Sequence, residues 1–352
     1  MADFRLYIEK DPSSFWSLKD DWTSFLNEIP GANPFLTPHW IGISYEFFSS
    51  DRELFLVVVR DQMDRFTGAV PWALRKVDDH VEIEHAVPED VCLYLDFPID
   101  QRFRSEVLKG SLELVGREYP GARLSIRFPY IREDSPSLWS LQKLLDERGI
   151  ESEKIEAGKL YYMDLPENYE DFLFSLKKRE RTQLQKTEKR ARRIADLNEL
   201  EMRSPEEINR GLDVFMRLYR LQKEDSGDTL TPGYEAFLRE IFLVFSQQSW
   251  AALYILNADG WNVGALLALE FRGKAFVFAG AEDPQAKEIA PLALLMNGLI
   301  KSSISRGIRR IEILQDSLPT EHYPLKQVRY YIFKAEERPV PSPRGERERV
   351  SR

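Results

Sequence analysis

The chain of 352 residues holds one cysteine, Cys92, and four histidines. One thiol excludes an internal disulfide framework and any multi-cysteine metal site, and it fits a reducing compartment. No histidine or basic group stands beside Cys92 in sequence, so it reads as small core filling rather than a nucleophile. His39, His80, His85 and His322 are scattered without ligand spacing, so no metal is expected. If His80 and His85 share a strand, they face opposite sides. Long apolar runs are also missing. Residues 289–296 and 263–269 fall well short of the ~20 that a spanning helix needs. The opening stretch, MADFRLYIEKDPSSFW, lacks the apolar core of a signal peptide. A soluble, cytoplasmic chain without a transmembrane segment is the expectation. Positive charge is in deficit, with 49 Lys and Arg against 58 Asp and Glu, a net −9. That balance argues against DNA as a partner, and RNA is not expected.

What is present is core-forming. Hydrophobic residues are 43% and aromatics 12%, and a chain of this length suggests about two domains of ~150 residues. Two regions share one pattern. Residues 54–75 (LFLVVVRDQMDRFTGAVPWALR) and 252–272 (ALYILNADGWNVGALLALEFR) each read as strand, polar turn and second strand opening on Gly-Ala. Gly68-Ala69 and Gly264-Ala265 occupy matching places. A third strand follows each, at 81–86 and 274–280. After the first meander come a helix at 104–118, a strand at 123–128, a helix at 137–148 stopped by Gly149, and a strand at 159–165. After the second come a helix at 291–306, ended by Gly307, and a strand at 309–314. The same order twice indicates an internal duplication of α+β halves. The boundaries read 1–158 and 159–335, with 336–352 as a polar, proline-rich, disordered tail. Between the meanders one long helix is predicted over 168–195, capped by Asn168. It carries Phe172, Leu173 and Leu176, then turns basic. Residues 177–193 hold nine Lys or Arg against two Glu, a local +7. Such a run either holds phosphates, of CoA or of a nucleotide- or lipid-linked sugar, or is a solvated face neutralised by Glu180, Glu188 and acidic neighbours. Aromatics that would stack on RNA bases are missing from it.

This order of strands and helices resembles the GNAT acyltransferase core. More closely it resembles the tandem GNAT-like proteins of the CelD/BcsL type, often described as acetyltransferases of cellulose or exopolysaccharide biosynthesis. These resemble the Fem-type peptidoglycan aminoacyl transferases in having two GNAT-like halves. The matching segments are NPFLTPHW (33–40), YLDF (94–97), LPENYEDFLFSLKKRERTQLQK (165–186), 277–295 and 312–326. The resemblance implies an acyl-CoA co-substrate, with acetyl-CoA the expected one, and a small-molecule or glycan acceptor. It departs from the pattern at the pyrophosphate loop. Residues 282–292 (EDPQAKEIAPL) contain no glycine, and Pro291 opens the helix that follows. The C-terminal strand reads Ile311-Glu312-Ile313, and Tyr323 and Lys326 are separated by two residues.

By that resemblance the donor lies along Phe278, Ala279, Gly280 and Ala281. Its pyrophosphate then falls near Ile289, Ala290 and Leu292. Direct acyl transfer needs a base, donors for the carbonyl oxygen and positioning rather than a protein nucleophile. Glu312 and Asp316 end a strand and precede His322, Tyr323 and Lys326. A carboxylate there is the preferred base, with Lys326 to orient an anionic acceptor and Tyr323 to protonate a leaving group. The bland alternative is a set of solvated loop residues. Asp96, among Leu93, Leu95 and Phe97, is either paired or lines a cleft. Phe276 and Phe278 read as packing. Three functions stay open: acyl transfer to an amine or hydroxyl of a sugar or envelope precursor, Fem-type aminoacyl transfer from charged tRNA, and a catalytically silent GNAT-like module in a polysaccharide or regulatory assembly, which the glycine-free loop favours.

Overall fold

A computed structural model describes residues 4–49, 51–91, 94–226, 231–314, 318 and 322–337. Cys92, Asp316 and residues 338–352 lie outside them. The first half runs β1 (Phe4–Glu9), α1 (Ser14–Ser17), α2 (Lys19–Glu28), α3 (Pro38–Phe48), β2 (Glu53–Asp61), β3 (Phe66–Val77), β4 (His80–His85), α4 (Arg104–Glu118), β5 (Arg123–Arg132), α5 (Pro136–Glu147) and β6 (Ser152–Asp164). The second runs α6 (Tyr169–Ser175), α7 (Lys178–Ile194), β7 (Leu197–Met202), α8 (Pro205–Ser226), α9 (Pro232–Gln247), β8 (Ala251–Ala258), β9 (Trp261–Phe271), β10 (Lys274–Glu282), α10 (Pro291–Ser305), β11 (Arg310–Ile313) and β12 (Lys326–Glu336).

The duplication is visible strand by strand. β1 to β4 form an antiparallel meander and β5 joins β4 in parallel. β7 to β10 form the same meander and β11 joins β10 in parallel. Gly68 pairs with Val59 and Gly264 with Leu256, in equivalent ladders. Neither site has room for a Cβ: one on Gly68 would sit 2.9 Å from Pro98 O, and one on Gly264 2.6 Å from the Pro291 ring.

Both halves merge into one twelve-stranded mixed sheet, ordered β1-β2-β3-β4-β5-β12-β6-β11-β10-β9-β8-β7. The last strand, β12, inserts between β5 and β6 of the first half. β6 in turn borders β11 of the second. Residue 158, where the sequence suggests a boundary, lies inside β6, opposite Tyr330 of β12. Glu336 closes β12, and Glu337 continues the pairing through its amide to Leu124 O, 3.0 Å.

In β8, β9 and β10 both faces are buried, as near-continuous apolar runs require. One face carries Leu253, Leu267, Phe276 and Phe278 under α8 and α9. The other carries Tyr254, Leu266, Ala275 and Val277 under α10, over which α6 and α7 pack. The NPFLTPHW segment is a seam between halves. Asn33 accepts from Phe35 N (3.0 Å) and Thr37 from Trp40 N (3.2 Å), capping a 3-10 turn and then α3. These caps aim Phe35 at Phe276 (centroids 5.7 Å) and Trp40 at Phe278 (5.8 Å).

The single helix expected over 168–195 is two. Asn168 does cap the first, accepting from Asp171 N at 2.8 Å. Leu176 and Lys177 then take extended ψ values of 144° and 148°. Leu176 turns into the core, only 4% exposed, which stops α6. Glu180 reaches back to accept from Lys177 N (2.9 Å), and this restarts the helix as α7.

Candidate active site

A cleft of about 230 Å³ opens where the halves meet, lined from the first half by Tyr94, Asp96, Arg104, Arg132 and Asp134 and from the second by Lys274, Arg310 and Glu312. Glu312 occupies the middle of β11. Its neighbours Ile311 and Ile313 point into the α10 face, so strand alternation turns Glu312 to the other side. There it is 3% exposed. A carboxylate this deep must be paired. Arg132, the last residue of β5, supplies one partner with Nη1 3.2 Å from Oε2. Lys274, at the start of β10, supplies another with Nζ 3.9 Å from Oε1. No hydrogen bond within 3.5 Å reaches Oε1 among the described residues. One oxygen of Glu312 is therefore pinned and the other keeps acceptor capacity.

Arg132 organises that wall. Its guanidinium grips Asp134 through two bonds of 2.7 Å. It also lies 4.6 Å from the Tyr94 ring centroid and bonds the Tyr94 hydroxyl. Burial, with the nearby Glu312 charge, pushes the Tyr94 hydroxyl above its ordinary value, so it remains a proton donor. Burial pulls Lys274 below its ordinary value, opposed by Glu312 and reinforced by Arg310 and Arg132.

Asp96 also lines the cleft. Its Oδ1 accepts from Phe97 N (2.7 Å) and from the Ser137 hydroxyl, with Arg104 Nη1 at 3.5 Å. Arg104, opening α4, also donates to Phe97 O (3.1 Å), Ile99 O (2.8 Å) and Ser137 Oγ (2.5 Å). Asp96 is thus both paired and on the cleft. Counting the walls, Arg104, Arg132, Lys274 and Arg310 face Asp96, Asp134 and Glu312, a net +1. The cleft suits a ligand with an anionic group.

The fold joins Asp96 and Glu312, residues 216 apart in number, and separates the rest of the expected cluster. Tyr323 is 7% exposed and packs in the α10-side core. Lys326 bonds Asp164 (2.7 Å), which also holds Arg310 (2.8 Å), at the sheet surface. Asp316 lies outside the described residues. Tyr94, Arg104, Arg132, Ser137 and Lys274 escaped the sequence reading. Tyr94 belongs to the YLDF segment; the others are single polar residues at element ends.

The expected donor groove is closed by the chain's own side chains. Phe278 is the bulged residue of β10, where the register shifts between Val277 and Ala279. Its ring is packed between Trp40 and Phe242, with centroids at 5.8 and 5.4 Å. Ala279, Ala281, Ile289 and Leu292 are buried. β11 pairs with β10 only as far as Val277. Beyond, a Cβ on Gly280 would meet Leu318 at 2.6 Å and Leu292 at 2.8 Å. At the α10 N-terminus, Ala290 adopts φ 56°, ψ 61° and Pro291 has no N–H. The next amide, Leu292 N, donates to Glu282 at 3.2 Å. Burial raises the Glu282 carboxyl above its ordinary value, and the Leu292 amide opposes that. A pyrophosphate at this helix end meets a carboxylate already seated on the amide. The residues present do not fit the phosphates of CoA here.

Among the described residues there is no group of three or more His, Cys, Asp and Glu able to hold a metal. No helix among them is long and apolar enough to cross a membrane.

Residues 178–323 match the family described as acetyltransferase (GNAT) domain. No curated protein matches the chain. Solved structures do. FemX is 11% identical, with a TM-score of 0.61 over 89% of this chain and 96% of its own. A conserved protein of unknown function from Bacteroides thetaiotaomicron is 14% identical, with 0.58 over 94% and 100%. The C-terminal domain of a putative lysylphosphatidylglycerol synthetase from Agrobacterium fabrum is 9% identical, with 0.54 over 91% and 92%. At these identities the likeness is one of fold. Residues 178–323 are thus similar to a GNAT acetyltransferase domain, set within a two-half α+β chain.

Proposed function

We propose that the chain moves an acyl group directly to an amine or hydroxyl of an acceptor that also bears an anionic group, in the cleft between the halves. Sugar or cell-envelope precursors of the exopolysaccharide kind, the acceptors of the CelD/BcsL type that the sequence resembles, have this chemistry. The observation that carries the reading is that Glu312 and Asp96, one from each half, line a single cleft together with four cations. Lys274, whose ammonium stands 3.9 Å from Glu312 Oε1, holds the anion, and Arg104, Arg132 and Arg310 add to the positive field. Glu312 Oε1 takes the proton from the acceptor oxygen or nitrogen as that atom bonds to the acyl carbon. The bond from the acyl carbon to the leaving group breaks, and the leaving group departs with its electron pair. General-base action of this kind is worth ~10²–10⁴ in rate.

The donor is a separate matter. GNAT domains go with acyl-CoA, yet Glu282 and Leu318 close the place where its pyrophosphate and pantetheine would lie. That observation favours a donor held elsewhere, including an aminoacyl ester as in the Fem-type resemblance. The test is product formation by mass spectrometry. Protein is incubated with acetyl-CoA or with aminoacylated tRNA, against neutral and acidic aminosugars and sugar phosphates. Transfer only to anionic acceptors, lost in Glu312→Gln by ~10²-fold or more, supports the reading. Turnover of neutral acceptors alone, or full activity in Glu312→Gln, overturns it.

A further inference from the structure

The basic run absorbed into no function so far is α7, and its charge is not neutralised by the fold. Glu180 pairs with Lys177, and Glu188 with Arg192 and Lys301. Lys178, Arg179, Lys186, Lys189, Arg190 and Arg193 have no ion-pair partner among the described residues, and all six are exposed. At 100° per residue, Arg179, Lys186, Lys189, Arg190 and Arg193 fall within about 100° of the helix circumference. That arc lies opposite Leu184 and Ala191, the two residues α7 buries. The stripe is about 21 Å long at 1.5 Å per residue. The segment 177–193 carries +7 while the whole chain carries −9. The remainder therefore stands at −16, and this outer helix carries a local net positive excess against it.

Large apolar side chains stand exposed at both ends of the stripe. At the N-terminal end Phe174 is 67% exposed, its ring 5.6 Å from the Arg181 guanidinium. At the C-terminal end Ile194 is 45% exposed. There the chain is tied to the β8–β9 turn: Asp196 N donates to Asp259 Oδ1 (2.8 Å) and Asp259 N to Asp196 O (2.9 Å). Two residues after Asp259 stands Trp261, 75% exposed. A cationic stripe flanked by Trp, Phe and Ile is the composition of a surface that rests on anionic headgroups and inserts its apolar ends. Ile194 cannot stack on a base, and no aromatic interrupts the cations between residues 177 and 193. Glu312 lies on the other side of the sheet from this layer, so docking here leaves the cleft free.

We propose that the α7 face docks peripherally on an anionic lipid surface, with Trp261, Phe174 and Ile194 as apolar anchors. The test is co-sedimentation of the full chain with vesicles of phosphatidylcholine, alone or with 30% phosphatidylglycerol. Trp261 fluorescence is not separable among seven tryptophans, so sedimentation is the readout. Binding is expected only to the anionic vesicles. A cation near such a surface is worth roughly fivefold in partitioning. Lys186→Glu with Arg190→Glu should therefore lower it by ~25-fold or more. Trp261→Ala should lower it severalfold with all charges intact. A parallel arm measures fluorescence anisotropy of a labelled single-stranded RNA. Equal binding to both vesicle types, no loss in Trp261→Ala, or binding to RNA but not to vesicles each overturns the proposal. All variants alter exposed side chains, and unchanged melting temperatures establish that they fold.

Discussion

Substituting Glu282 isolates the closure of the donor groove. Its carboxylate lies 3.2 Å from Leu292 N at the start of α10. A phosphate competing for that amide would sit within ~5 Å of the carboxylate. At an effective dielectric of ~20 the repulsion is about 3 kcal/mol per unit charge. Removing the charge should return a sizeable part of this, and ~1.4–2.8 kcal/mol corresponds to 10- to 100-fold in affinity. Glu282→Gln removes the charge but keeps an acceptor on Leu292 N. Glu282→Ala also frees the amide, a further ~1.5 kcal/mol or more for a bond to a charged group. Calorimetric titration with CoA should find wild-type binding at millimolar or weaker, with Glu282→Gln tighter and Glu282→Ala tightest. Acid should mimic the substitution. Burial raises the Glu282 carboxyl, so it protonates earlier than an ordinary glutamate as pH falls. CoA binding to wild type should strengthen from pH 7 toward 5 relative to Glu282→Gln, whose profile reports only the ligand's own titration. Micromolar binding by the wild type, or no gain in either variant, refutes the account of a self-occupied helix terminus.

Two further outcomes follow from buried ionisable groups. Arg132→Met leaves Glu312, 3% exposed, with Lys274 at 3.9 Å as its one cationic partner among the described residues. Chemical denaturation should show a loss of ~3–5 kcal/mol, and Arg132→Met with Glu312→Gln should recover much of it; equal losses in both would mean the pair is not coupled. His85 is fully buried and its imidazole is held down to about 3 by desolvation. It folds neutral, so its contribution is intact above the unfolded value near 6.5 and is lost as pH falls toward 3. Across that window stability should decline by a few kcal/mol, and His85→Gln, which does not titrate, should flatten the decline.

How much of this was readable depended on the period of the pattern. The meanders were legible because β2, β3, β8 and β9 are apolar runs with turn residues between them. The helices α5 and α10 carried caps or stops at their ends, and α4 showed helical apolar spacing. β1, β7 and β12 escaped: β1 is half-exposed along its length, β12 mixes charged residues with its apolar ones, and β7, Leu-Asn-Glu-Leu-Glu-Met, becomes a strand through its ladder with β8. The break at Leu176–Lys177 was hidden because the helical spacing continues through it. Within the site, Glu312 and Asp96 could be singled out as acids in apolar surroundings. Their meeting could not, because it depends on the side to which β11 turns its middle residue. Arg132 and Lys274 look in sequence like any charge at a strand end. Their role appears only when the two parallel strand pairs, β4–β5 and β10–β11, are set side by side.

What sets them side by side is β12. The sheet order is β5-β12-β6-β11, so every hydrogen-bonded path across the sheet from Arg132 to Glu312 crosses the last strand. β12 also grips the cleft wall directly. Glu133 N donates to Arg329 O (2.9 Å), and the Glu133 carboxylate receives Arg329 N and Nε, both at 3.0 Å. Glu133 lies between Arg132 and Asp134, the ion pair that steadies Glu312. A chain ending at residue 325 would leave β5 and β6 as facing unpaired edges. It would also lose the burial of Phe333, Val328 and Ala335. Truncating a buried phenylalanine alone costs ~3–5 kcal/mol, against a total of ~5–15 kcal/mol for an ordinary domain. The 1–325 chain should therefore lose the cooperative melting transition and self-associate through the exposed edges in size-exclusion chromatography. Adding the isolated 322–337 segment should restore monomer, because the slot between β5 and β6 is specified by register on both sides. If the truncated chain melts cooperatively within a few degrees of the full one, the halves are held together by the Phe35–Trp40 seam instead, and the cleft geometry owes nothing to the exchanged strand.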